Sequence, residues 1–135
     1  GVGVLRPLRG WHRARCWGRF QWSADLAERA PRRPLEPSGP TLPAEAVHEA
    51  EALLVPALCV DRDGRRLGQG GGWYDRMLPL RAPGTHIFAI IHPEEVVAGP
   101  LPVEEHDEPV DAVITAQEWF LLATGSPAQT RSPEP

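Results

Sequence analysis

The sequence predicts an α/β layer, and three observations carry that expectation. Apolar runs of strand length recur at residues 52–60, 86–91 and 111–116. A glycine-rich connection, residues 68–72, separates the first run from a short helical pattern. The order strand, glycine loop, helix, strand, strand is that of helices laid on a sheet. The 135 residues leave room for one core, since a domain commonly takes about 100 to 150 residues. A hydrophobic content of 41 % is enough to fill it.

Residues 1–22 carry Arg6, Arg9, Arg13, Arg15 and Arg19 among Trp11, Trp17, Phe20 and Trp22, with neither period 2 nor period 3.6 sustained. Residues 1–19 are therefore expected to be an atypical basic and aromatic segment without regular packing; stacking on single-stranded nucleic acid is the alternative reading. Residues 30–40, rich in Gly, Pro, Ser and Arg, read as a loop. At residues 43–52 Pro43 suits a first helical position, and Glu45, Glu49 and Glu51 alternate with Ala44, Val47 and Ala50, which predicts a short amphipathic helix.

The run 52–60 has the length and composition of a buried strand, closed by the turn Asp61-Arg62-Asp63-Gly64. Pro56 has no N–H to donate and belongs at a bulge, an edge or a strand end. A helix is expected over 73–78, ended or kinked by Pro79. Residues 86–91 and 111–116 are β-rich and apolar, joined by a polar connection containing proline. Only small, polar and proline residues follow from 124, so a domain over 20–122 with a disordered tail over 123–135 is expected.

Composition excludes several chemistries. Fourteen basic against eighteen acidic residues leave a net charge of −4, so no global positive field recruits nucleic acid or an anionic membrane, and neither is an expected partner. Every basic residue is arginine. A Schiff-base lysine, a pyridoxal phosphate attachment and a P-loop lysine are therefore absent from this chain. Cys16 and Cys59 are too few for a disulfide framework, which fits a reducing, cytoplasmic setting. No apolar stretch approaches the roughly 20 residues of a membrane span. His12, His48, His86, His92 and His106 lack zinc-like spacing. Ser23, Ser38, Ser126 and Ser132 lie in no Gly-x-Ser-x-Gly elbow.

The dense constellation is Arg65-Arg66-Leu67-Gly68-Gln69-Gly70-Gly71-Gly72-Trp73-Tyr74-Asp75-Arg76. Its glycines remove the Cβ atoms that keep a backbone away from a ligand and permit positive φ, so successive N–H groups can converge on an anion such as phosphate. A helix starting near Trp73 would add its N-terminal N–H groups, and Arg66 or Arg76 a planar fork of donors. The spacing matches no dinucleotide or Walker fingerprint, since the position after Gly68 and Gly70 that needs glycine holds Trp73. The alternative is a tight connection that binds nothing. Asp75 likewise has two readings: a carboxylate stabilised by the start of a helix, or a Mg2+ ligand beside a polyphosphate. Glu104-Glu105-His106-Asp107-Glu108, with Asp111 beyond, is either a solvated loop or a ligand site at the edge of the sheet.

The run Leu54-Val55-Pro56-Ala57-Leu58-Cys59-Val60-Asp61, followed by residues 64–76, closely resembles the signature of the 5-formyltetrahydrofolate cyclo-ligase family, also called methenyltetrahydrofolate synthetase. Leu35-Glu36-Pro37 is similar to the family's Glu-Pro segment, and His106-Asp107 with Val110-Asp111-Ala112-Val113-Ile114-Thr115 to its C-terminal acidic motif and last strand. The likeness covers roughly residues 20–118, the C-terminal half to two-thirds of a family member. It implies a Rossmann-like layered sheet flanked by helices, truncated at the N-terminus. The activity implied is closure of 5-formyltetrahydrofolate to 5,10-methenyltetrahydrofolate with ATP and Mg2+, releasing ADP and phosphate. Carried over by position, Arg66, Leu67, Gly68, Gln69, Gly70, Gly71, Gly72, Trp73 and Tyr74 would line the ATP phosphates, residues 69–73 also facing the folate. Asp75 and Asp107 would hold Mg2+. Trp73 and Tyr74 either stack on the pterin or pack.

Two departures stand beside this likeness. Family members begin with a helix whose lysine and arginine reach the nucleotide, and residues 1–19 do not resemble it; Gln69 stands where a basic or aromatic residue is common. The expectation is a 5-formyltetrahydrofolate cyclo-ligase truncated at the N-terminus, inactive by itself if the missing half is needed; the alternatives are a non-catalytic fragment that binds nucleotide or RNA and a fragment without a stable fold. No catalytic residue and no oligomeric state follow from the sequence.

Overall fold

Short strands, short helices and their connections make up residues 4–8, 16–20, 26–27, 35–68, 72–105 and 107–122, the part of the chain described by the computed structural model. The expected tail at 123–135, the centre of the glycine run at residues 69–71, His106, and the remainder of the basic N-terminal stretch and of the 30–40 loop lie outside the described residues. The fold is mixed α/β, with several sheets and few helices. It divides into two compact units, Gly1–Glu49 and Ala50–Pro135.

In the first unit β1 (Val4–Leu8) pairs antiparallel with β2 (Cys16–Phe20), and β2 with β5 (Thr41–Leu42). Between them in sequence, β3 (Leu26–Ala27) pairs with β4 (Glu36–Pro37). Two pieces of the basic and aromatic N-terminal stretch, residues 4–8 and 16–20, are thus strands. Pairing is a backbone property that long-range partners can impose without a period-2 pattern. Trp17 is 7 % exposed and donates its ring N–H to the carbonyl of Ala44 at 3.2 Å. The helix expected over 43–52 is a 3-10 helix, Ala44–Glu49, in which the Ala46 N–H reaches the Pro43 carbonyl at 3.0 Å. Six residues before a strand leave little length for an α-helix to propagate.

In the second unit the apolar run 52–60 divides into two strands in different sheets. β6 (Ala52–Pro56) ends on Pro56, where the missing N–H costs no internal ladder bond, and β7 (Cys59–Asp61) opens a hairpin with β8 (Arg66–Leu67). The glycine run follows, then α1 (Trp73–Met77). Pro79 does not stop the coiling but tightens it into a 3-10 turn, Leu78–Leu80. Next come β9 (His86–Ile90), β10 (Val96–Val97), β11 (Ala112–Ile114) and β12 (Trp119–Leu121). One sheet runs β12-β11-β9-β6, parallel from β11 to β6 with β12 antiparallel at its end; the other runs β10-β7-β8.

The two faces of the four-stranded sheet differ. Leu53, Val55, Ile87, Ala89 and Val113 lie on one face and are nearly or wholly buried. The register Leu54↔Phe88↔Ala112 and Pro56↔Ile90↔Ile114↔Trp119 puts the alternate residues on the other, where Leu54, Ile90 and Trp119 are exposed. No helix among the described residues is long and apolar enough to cross a membrane.

Candidate functional site

The site is assembled on the hairpin β7–β8 and the start of α1. Arg66, on β8, buries a guanidinium that is only 5 % exposed. It donates to Asp75 Oδ1 at 3.0 Å and to the Pro56 carbonyl, at the carboxyl end of β6, at 3.3 Å. Its Nε is buried without a hydrogen-bond partner among the described residues. An uncompensated donor of this kind is costly to bury, so an anion brought against the guanidinium would relieve a standing deficit. The Tyr74 ring lies over the same group, its centroid 5.9 Å from the guanidinium carbon, and Trp73 meets Tyr74 edge-on at 4.9 Å. These aromatics therefore pack on one another and on Arg66.

Gly68 and Gly72 bracket the run. A Cβ on Gly68 would stand 2.9 Å from Arg66 NH1, so any larger residue would displace the guanidinium. Gly72 caps α1 with φ +65°, a left-handed conformation that β-carbon-bearing residues adopt at a cost. The five residues of α1 contribute too little aligned backbone to make its end an anion site by itself.

Asp75 projects from the first turn of α1 and is 17 % exposed. Besides Arg66, its Oδ1 accepts the Glu108 N–H at 3.1 Å. No described residue donates to Oδ2. The Glu108 contact brings the acidic segment to the helix start. Asp107 is half-buried and closes its own turn: its Oδ2 accepts the Glu104 N–H at 2.8 Å while its N–H donates to the Glu104 carbonyl at 3.0 Å. Glu108 turns its carboxylate toward Arg81 at 3.4 Å, across a cavity of about 440 Å³ lined also by Thr85, His86 and Asp111. The Asp111 carboxylate accepts the Ile87 N–H at 2.8 Å, and its own N–H donates to the Ile87 carbonyl at 2.8 Å. Among the described residues no three His, Cys, Asp or Glu side chains converge on one point.

Asp61 was legible in the sequence only as a turn residue. Its carboxylate is fully buried and accepts from the N–H groups of Asp63, Arg65 and Leu101, each at 2.9 Å, and from Arg65 NH1 at 3.2 Å. Burial opposes its charge, but the four donors outweigh burial and hold its pKa below the ordinary 3.8. An Asp opening a turn commonly bonds the backbone two residues on, which is the local signal that marks it.

A model of the 5-formyltetrahydrofolate cyclo-ligase family matches residues 16–116. The chain belongs to that family. A 5-formyltetrahydrofolate cyclo-ligase of Mycolicibacterium smegmatis is 40 % identical over 120 residues, covering 89 % of this chain and 57 % of its own length. The Escherichia coli enzyme of that name is 40 % identical over 73 residues, 51 % of this chain and 40 % of its own, and the Saccharomyces cerevisiae one 31 % identical over 102 residues, 65 % and 48 %. The chain thus spans 57 % or less of the length of these cyclo-ligase relatives.

Proposed function

We propose that this chain carries the nucleotide- and metal-holding part of a 5-formyltetrahydrofolate cyclo-ligase, acting on 5-formyltetrahydrofolate with ATP and Mg2+. The observation that carries the reading is Arg66: buried, fixed by Asp75 and Pro56, and left with an unpartnered Nε beside a glycine whose Cβ position the guanidinium fills. Arg66 and the backbone of residues 67–74, including Gln69, Gly70 and Gly71, would hold the phosphates, with Trp73 and Tyr74 framing the folate side.

The donor set fits Mg2+. Among the described residues none donates to Asp75 Oδ2, and Asp107 is next to the residue whose N–H binds Asp75. One or two carboxylates are the protein ligands this ion commonly takes, the rest coming from phosphate oxygens and water. Bound there, the ion would offset the negative charge of the phosphates. Arg66, held in place in advance, would supply donors to the transferring phosphoryl group without reorganising.

In the reaction the formyl oxygen of the folate attacks the γ-phosphorus, and the bond to ADP breaks. N10 then attacks the activated carbon, loses its proton, and phosphate departs with the former formyl oxygen. We also propose that the parallel strands β6, β9 and β11 belong to a Rossmann-like layered sheet, and that the protein works in the cytoplasm.

The test is turnover by the 135-residue chain. Mg-ATP and 5-formyltetrahydrofolate should give the near-ultraviolet absorbance of the methenyl product, absent when ATP is withheld. A cooperatively melting chain that binds Mg-ATP but yields no product would reduce the proposal to nucleotide binding.

A further inference from the structure

Asp61 lies outside the residues that the family signature assigns to ligands, yet it ties together the parts that carry them. Its Oδ1 takes the N–H groups of Asp63 and Arg65, shaping the turn that delivers Arg66. Its Oδ2 takes the N–H of Leu101 at 2.9 Å, forty residues away in sequence. The same turn receives the Val110 N–H on the Gly64 carbonyl at 2.8 Å. Leu101 and Val110 flank the segment that carries Asp107. Both ends of that segment are therefore fastened to one turn, whose exit strand carries Arg66. Gly99 lets the chain close over the carboxylate: its φ is +74°, and a Cβ there would stand 2.6 Å from Asp61 Cβ. Asp61 itself is sealed from solvent and meets no ligand.

We propose that Asp61 is a positioning residue of the nucleotide and metal site, setting Arg66 and Asp107 in a fixed mutual placement; this rests on the function proposed above. Groups that hold ligating side chains in place commonly control metal affinity by one to two orders of magnitude, and Asp61 would act through the backbone at Arg65 and Leu101.

The experiment titrates the 135-residue chain with a fluorescent ATP analogue, with and without Mg2+. Asp61→Asn keeps the shape but turns one acceptor into a donor facing a donor. It should cut the Mg2+-dependent gain in affinity by at least about tenfold. In an Asp107→Ala background the same change should have no further effect on that gain, an outcome that general loosening of the fold would not produce. A cooperatively melting Asp61→Asn chain with the unmodified Mg2+ gain would overturn the proposal, as would full additivity with Asp107→Ala.

Should Asp61→Asn not melt cooperatively, hydrogen exchange on the unmodified chain decides. Mg-ATP should slow the amides of Arg65 and Leu101, which bind Asp61 and not the nucleotide, and ATP alone should slow them less. Unchanged exchange at both, with Mg-ATP bound, would overturn the proposal. An unmodified chain that binds no Mg-ATP would sink the proposed function and this inference together, whereas intact binding with an indifferent Asp61 would sink only the inference.

Discussion

Asp61 and Asp75 are both carboxylates drawn away from water, and they are completed differently. The Asp61 side chain is 0 % exposed and both of its oxygens are occupied, by three backbone N–H groups and an arginine. Asp75, 17 % exposed, takes two donors on one oxygen and, among the described residues, none on the other. Saturation makes the first a fastening. Spare acceptor capacity, in a carboxylate already held still, makes the second suited to a cation. Position in a motif does not distinguish them; the count of donors does.

The strongest way to break this contrast is to empty the saturated site. Asp61→Ala leaves three N–H groups without their acceptor, each worth about 1–3 kcal/mol when buried. Since water can enter part of the gap, denaturant unfolding should show a loss of about 3 kcal/mol, and a loss below about 1 kcal/mol would contradict the assigned role. Acid should act on the same group more gently. Its folded pKa lies below the ordinary 3.8, so its contribution is complete above that value and is lost as pH falls through the folded pKa. Thermal melts of Asp61→Asn should accordingly lack part of the acid sensitivity that the unmodified chain shows below about pH 4.

Asp75 should respond in the opposite proportions. Asp75→Asn preserves an acceptor for Arg66 and Glu108, so its stability should change by less than about 1 kcal/mol. Its affinity for Mg-ATP, measured by calorimetry, should fall about tenfold, equivalent to about 1.4 kcal/mol. Equal affinities with and without Mg2+ in the unmodified chain would remove the metal from this site. The smallest effect is expected on the open sheet face, where Leu54→Ala, at a residue 57 % exposed, should stay within about 0.5 kcal/mol by denaturant unfolding.

Much of the parallel sheet could be read in advance. The strands expected at 86–91 and 111–116 form as His86–Ile90 and Ala112–Ile114, and Pro56 ends its strand. The helix after the glycine run starts at Trp73 as expected. What could not be read depends on partners distant in sequence. Arg66–Leu67 and Val96–Val97 are strands only because β7 pairs with each of them, two residues carrying no period of their own. No polar residue marks the break in the run 52–60 between two sheets. In the site, the glycines and Asp75 announce themselves by type and spacing. Asp61 does not, because its deciding contact is with Leu101, whose backbone N–H would be the same in almost any residue.

The open sheet face also makes the molecule report on itself. Trp119 is 39 % exposed and meets Phe88 edge-on at 6.1 Å, within a register row that includes Ile90 and Ile114. An indole in contact with water emits at longer wavelength than one surrounded by hydrocarbon. Whatever comes to rest on that face, whether a detergent tail or another polypeptide, would therefore write its arrival into the colour of the protein's own fluorescence.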